Sequence, residues 1–240
     1  MAAAAERGTG AVSRRDDLAA NLAELEARIT RACTAAARAR DELTLIAVTK
    51  TWPVSDCLLL RDLGVTELGE NRDQEAAQKA AAVTGVRWHF VGSVQTNKAR
   101  SVASYADVVH SVDRPSLVSV LGDGAVRTGR TVDVLLQISL DGDPDRGGAE
   151  PSAVPGLGEQ VAQTAGLRLA GVMAVAPLGA DPADAFARLA EVSHRLRADH
   201  PAATAISAGM TGDLEQAVVA GATHLRVGTA VLGARPAPLR

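Results

Sequence analysis

The sequence predicts a single (β/α)8 TIM-type barrel with an extra N-terminal helix. Three observations lead there. Eight short apolar runs alternate with helical patterns over 240 residues, the order that builds a parallel sheet wrapped in helices. The runs are rich in Val, Ile and Leu rather than alternating with polar residues, as strands buried on both faces are. Polar and glycine-containing segments follow the runs, at the face where such barrels carry their ligands. A doubly wound open sheet is the alternative fold, but no GxGxxG follows the first run to support it.

Residues 1–12 begin Ala-rich, without a basic start or a continuous apolar stretch, and read as a disordered tail rather than a secretory signal. The barrel is expected over 13–240. Ser13-Arg14-Arg15-Asp16 has the form of a capping box. It opens a helix on which Leu18, Leu22, Leu25, Ile29 and Cys33 recur at helical spacing. Strands are expected at Leu45–Thr49, Thr66–Leu68, Trp88–Val91, Val108–Val112, Val132–Ser139, Leu167–Val175, Thr204–Ser207 and His224–Val227. Helices are expected at Pro53–Leu63, Asn71–Val83, Asn97–Ser104, Arg114–Leu121, Pro151–Thr164, Asp181–Asp199 and Gly212–Ala220. Asp181 as cap with Pro182 at the first helical position marks one of these starts. The breaker-rich stretch Asp141–Gly148 follows the fifth strand and reads either as a lid or as a plain polar turn.

Bulk properties narrow the function. With 47% hydrophobic and 22% charged residues, a full core is available. A net charge of −3 and 2% aromatics exclude a basic or stacking surface for nucleic acid. No run is long enough to span a bilayer. Cys33 and Cys57 form no metal or redox pattern and read as small apolar fillers of a reducing, cytoplasmic protein. The helices need their apolar faces for the barrel, so a monomer is expected.

Lys50 closes the first strand. An amine in a partly apolar mouth loses its charge more readily and can form a Schiff base with a carbonyl; the structural alternative is a lysine that snorkels to water. Gly69-Glu70-Asn71 and Gly92-Ser93 follow the second and third strands. Ser207-Ala208-Gly209-Met210-Thr211-Gly212 follows the seventh, and Gly228-Thr229 the eighth. These last two place glycine and hydroxyl groups between a strand and a helix start, a phosphate site in this fold; read singly, each is a helix cap. Arg226 lies among apolar neighbours and needs a partner. That partner is a carboxylate such as Glu67 or Asp213, or the ring nitrogen of a bound cofactor. A Schiff-base lysine, a phosphate cradle and an arginine for a pyridine nitrogen together describe pyridoxal 5′-phosphate (PLP).

The chain also resembles the pyridoxal phosphate homeostasis proteins, alanine-racemase-like single-domain PLP-binding proteins, from about Asp16 to Gly233. The matching stretches are Ala47–Thr51, Gly69–Asn71, Trp88–Gly92 with Gln95–Lys98, His110–Arg114, Gly171–Met173, Ala176-Pro177, Ser207–Asp213 and Arg226–Ala230. The resemblance implies that Lys50 carries PLP as a Schiff base, that Asn71 lies beside it, and that Arg226 faces the pyridine nitrogen. It implies a phosphate held by Ser207, Met210, Thr211, Gly228 and Thr229. It also implies a cytoplasmic monomer without established catalysis that buffers PLP and delivers it transiently to PLP-dependent apoenzymes, with amino-acid and keto-acid balance as the downstream effect. Three departures from the family pattern stand out. Ala208 and Thr211 replace Met and Ser in Ser-Met-Gly-Met-Ser, Val231-Leu232-Gly233 stands for Ile-Phe-Gly, and Val94-Gln95 for Leu-Gln.

The alternative is a PLP-dependent amino-acid racemase or related PLP enzyme. A two-base racemase needs acid–base groups on both faces of its substrate, and full-length racemases of this type add a β-rich domain for which the sequence leaves no room before Arg240. Tyr105 and His89 are the candidates for a second base, and both read more naturally as packed residues. A class I aldolase would use Lys50 directly, but has no pyridine nitrogen for Arg226.

Overall fold

The computed structural model describes residues 13–143 and 146–234. The expected N-terminal tail lies outside the described residues, as do positions 144 and 145 of the Asp141–Gly148 loop.

Eight parallel strands close into a barrel in chain order. They are β1 (Thr44–Val48), β2 (Glu67–Glu70), β3 (Arg87–Phe90), β4 (Val108–Val112), β5 (Val132–Gln137), β6 (Leu167–Met173), β7 (Ala205–Ser207) and β8 (His224–Val227). β8 pairs back onto β1, with Leu45 opposite Leu225 and Ala47 opposite Val227. The surrounding helices are α1 (Arg14–Ala35), α2 (Val54–Asp62), α3 (Asp73–Ala82), α4 (Ala99–Tyr105), α5 (Pro115–Arg127), α6 (Val154–Gln163), α7 (Pro182–Asp199), α8 (Leu214–Val219) and α9 (Thr229–Leu232).

Sequence and structure differ mainly at strand ends. β2 runs on to Glu70, past its apolar run, because the Glu70 carboxylate is buried against Lys79. β5 and β6 stop two residues short of their apolar runs. There Ile138 N–H still donates to Met173 O at 2.8 Å, while Ser139 N–H turns to Ala149 O at 2.9 Å, so the pairing passes to a returning loop. Tyr105 is the last residue of α4 rather than the residue after it.

The helices bury the faces their periodicity marks. The Ser13–Asp16 capping box opens α1, which buries Leu18, Leu25, Ile29 and Cys33. Asp181 caps α7 by accepting from Ala183 N–H at 2.9 Å, and α7 buries Phe186, Leu189 and Leu196. Cys57 is buried on α2. Truncating a core leucine such as Leu189 to Ala would cost about 2–5 kcal/mol.

α1 fastens the last segments of the barrel. Arg28 donates to Glu215 at 2.6 Å and to the Thr211 carbonyl at 2.8 Å. Asn21 and Arg14 donate to the carbonyls of Val231 and Leu232, each at 3.0 Å. The turn after β7 and the turn of α9 are thereby tied to one rigid helix.

Candidate functional site

Lys50 is half-buried directly after β1, and the residues on both sides of it are gripped by one network. Lys79 Nζ, on α3, donates to the Thr49 carbonyl at 2.8 Å and to Glu70 Oε1 and Glu75 Oε1, each at 2.6 Å. Thr49 Oγ1 donates to Glu70 Oε1, and Thr51 N–H to Glu75 Oε1, again at 2.6 Å. Thr51 holds φ at 69°, a left-handed backbone that β-branched residues avoid and that persists only when its surroundings enforce it. Burial opposes the Lys79 charge, but its bonds to Glu70 and Glu75 hold the ammonium above the ordinary lysine range.

Asn71 follows β2. A side chain on Gly92 would place its Cβ 2.3 Å from the Asn71 carbonyl, so only glycine lets the segment after β3 lie against it. Asn71 Oδ1 is buried with no hydrogen-bond partner among the described residues. On the other side, Gly209 at φ 88° turns the chain out of β7. Asp213 Oδ1 accepts from Met210 N–H at 2.6 Å and closes that turn. Thr211 Oγ1 accepts from Ala230 N–H at 3.4 Å, joining it to the segment after β8.

Arg226 is 5% exposed. Its guanidinium donates to Ser207 Oγ at 2.6 Å and to the Ala174 carbonyl at 2.9 Å. Burial pushes it down to about 10, partly offset by the charge of Asp213, so it stays cationic at neutral pH. Of the two partners the sequence left open for it, the carboxylate makes no direct contact among the described residues. Glu67 turns to His89, and Asp213 is spent on the Met210 turn.

These groups meet at one cavity of about 350 Å³ at the C-terminal end of the strands, within the size range of small-molecule sites. Lys50, Asn71, Met210, Thr211, Arg226, Gly228 and Thr229 line it. Ser207 does not: it is fully buried beneath, its oxygen engaged by Arg226 and by His110 at 3.0 Å. Sequence reasoning missed Trp52 and Val175, which also line the cavity. Trp52 was two residues from Lys50 and is set by the Arg14 guanidinium, 4.6 Å from its ring centre. Among the described residues, the ionisable side chains of the lining are Lys50 and Arg226, and none is a carboxylate. Such a lining suits an anion that also carries a carbonyl and a hydrogen-bond acceptor.

The model of the alanine racemase N-terminal domain matches residues 16–236. The pyridoxal phosphate homeostasis protein of Mycobacterium tuberculosis (strain H37Rv) is 42% identical over 243 residues, covering 92% of this chain and 94% of that one. The chain belongs to the pyridoxal phosphate homeostasis protein family. Its Escherichia coli K12 relative is 35% identical over 232 residues, 92% of this chain and 97% of that protein. Among solved structures, the family member PipY of Synechococcus elongatus, described with PLP bound, superposes with a TM-score of 0.79 at 32% identity, covering 90% of this chain and all of PipY.

Against that family background, the two candidates for a second base lie away from the cavity lining. Tyr105 donates to Asp73 at 3.2 Å, and burial raises its phenol. His89 sits inside the barrel, 2.8 Å from His110 and 2.5 Å from Glu67. No helix among the described residues is long and apolar enough to cross a membrane.

Proposed function

We propose that this chain binds PLP on Lys50 and serves in PLP homeostasis, holding the cofactor and passing it to apoenzymes rather than turning over a substrate. PLP brings a phosphate, a pyridine nitrogen and an aldehyde that condenses with a lysine amine. The observation that carries the reading is the composition of the cavity. It sets Lys50, a buried arginine lacking a carboxylate contact and an orphaned Asn71 oxygen around one space.

Each group has a fitting task. Lys50 supplies the amine for the Schiff base. Arg226 donates toward the ring nitrogen; being a base far stronger than pyridine, it keeps its proton and leaves the ring a poor electron sink. Asn71 is unsatisfied until a polar ligand group arrives. Met210, Thr211, Gly228 and Thr229 form the rim that takes the phosphate. The buried Glu70, the partly buried Glu75 and Lys79 hold the backbone around Lys50, so the amine is presented by a rigid strand end.

The family name and the PLP-bound PipY support the reading. So does the chemistry of the lining, since a racemase needs a second acid–base group and the described lining supplies Lys50 and Arg226 alone. We read the protein as a cytoplasmic monomer. Its exposed large apolar side chains, Val126, Val175, Leu178, Met210 and Val219, are spread over two helices and two loops rather than one helix face.

The test is proton NMR of the PLP-loaded protein in heavy water with L- and D-amino acids. The expected result is no loss of the α-proton signal beyond that with free PLP. Exchange with turnover, absent in Lys50→Ala, would make the protein a PLP enzyme and end the carrier reading.

A further inference from the structure

Beneath the cavity, five side chains form one unbroken hydrogen-bonded line through the barrel. Arg226 on β8 donates to Ser207 Oγ on β7 at 2.6 Å. Ser207 Oγ lies 3.0 Å from His110 Nδ1 on β4. His110 Nε2 lies 2.8 Å from His89 Nδ1 on β3, and His89 Nε2 lies 2.5 Å from Glu67 Oε2 on β2. The line crosses the interior rather than following the sheet. His224 on β8 confirms this, its ring 6.4 Å from both His89 and His110 although β4 and β8 are not neighbours. Ser207 and His110 are completely buried, and His89 nearly so, whereas the Glu67 side chain is 20% exposed at the opening of its strand.

One order of protons satisfies both ends of this line. A guanidinium only donates and a carboxylate only accepts. In that order Ser207 accepts from Arg226 and gives its one proton to His110 Nδ1. His110 therefore carries hydrogen on Nε2 and donates to His89 Nδ1, and His89 donates from Nε2 to Glu67. In this order both rings carry their hydrogen on Nε2. Burial agrees for His110, holding it well below the usual histidine range, with the cations Arg226 and Arg87 acting in the same direction.

We propose that Ser207, His110 and His89 are positioning residues that connect Arg226 to the distant carboxylate of Glu67. They orient the guanidinium toward the cofactor's ring nitrogen and turn the Ser207 proton away from the phosphate. This rests on the PLP-binding reading. It moves Ser207 from the phosphate to the arginine. The counter-charge of Arg226 then sits at the far end of the barrel, carried by polarised hydrogen bonds, and the edge of the guanidinium facing the cavity is left for the ligand.

The test uses the full chain with Ser207→Ala, Ser207→Thr and Glu67→Gln, titrated with PLP by visible absorption. Ser207→Ala should bind PLP about tenfold more weakly, the factor for 1.4 kcal/mol, and shift the absorption maximum of the bound cofactor. Ser207→Thr, which keeps the hydroxyl, should restore both. Glu67→Gln, remote from the cavity, should shift the maximum in the same direction by less. Weaker binding in Ser207→Ala with an unmoved maximum, and no effect of Glu67→Gln, would make Ser207 a plain phosphate ligand and overturn the relay. The relay is also read without PLP, by 15N NMR of the histidines. Nε2–H tautomers are expected for His89 and His110, and an Nδ1–H tautomer in either would overturn it whatever becomes of the PLP reading.

Discussion

The two ends of the barrel treat charge in opposite ways. At the N-terminal end, Asp133 lies between Arg87 and Arg168, and Glu67 accepts from His89. Charges there are compensated within the chain. At the C-terminal end, Lys50 and Arg226 line a cavity to which no carboxylate contributes among the described residues. Glu70 and Glu75, which hold the backbone beside Lys50, are paired with Lys79. In this fold the lower face serves stability and the upper face serves ligands. Here the cavity lining carries cations and no carboxylate among the described residues, whereas the lower end sets its cations against carboxylates.

The sharpest way to break the comparison is to exchange the consequences of the two buried cations. Lys79→Met leaves Glu70 buried beside nothing of opposite charge, and removing one partner of a buried pair costs about 3–5 kcal/mol. Thermal unfolding should drop by on the order of 10 °C. Arg226→Ala should instead act on binding. Loss of a charged hydrogen bond, worth about 1.5–3 kcal/mol, should weaken PLP binding by roughly 10- to 100-fold, with a smaller fall in melting temperature than Lys79→Met because no contacting carboxylate is orphaned. Equal thermal losses in the two variants would erase the distinction between a buried cation paired with carboxylates and one that serves the ligand.

The third prediction concerns acid. Burial pulls His224 down to about 4, whereas the unfolded chain's histidine titrates near 6.5. Between those values the unfolded state binds the extra proton. The contribution of His224 to stability is therefore complete above about pH 6.5 and declines toward pH 4, at up to about 1.4 kcal/mol per pH unit. Urea unfolding at pH 7.5 and 5 should show this slope, and His224→Gln should flatten it. Smallest of all, Asp133→Asn at the lower end should cost about 1 kcal/mol, since Arg87 and Arg168 are 40% and 68% exposed. PLP titration of that variant should match the unaltered protein.

Much of this was legible in the sequence, for physical reasons. Parallel strands buried on both faces leave continuous apolar runs, so Val108–Val112 and His224–Val227 were read to the residue. Strand ends are where this fold keeps its ligands, so Lys50, Asn71 and the glycine-hydroxyl turns could be gathered before any contact was known. What stayed hidden depends on three-dimensional packing. Glu75 and Lys79 stand four apart on a helical pattern and look like a surface pair; nothing local says that α3 presses Lys79 into contact with Thr49 and Glu70. Ser207 was placed at the phosphate because its loop fits one, while its own side chain faces down into the barrel. The histidines of β3, β4 and β8 were an available signal, being polar residues in strands otherwise apolar. Their order along the relay needed the closed barrel.

The central claim is that, of the chain's three lysines, Lys50, Lys79 and Lys98, Lys50 is the one that takes the cofactor. Lys79 is locked to two carboxylates, and Lys98 lies exposed in the turn before α4. Borohydride reduction of the PLP-loaded protein, followed by peptide mass spectrometry, reads this directly. The account predicts a pyridoxyl group on the Lys50 peptide, with Lys79 and Lys98 unmodified. A label on Lys98 or on the terminal amine, with Lys50 bare, would contradict it.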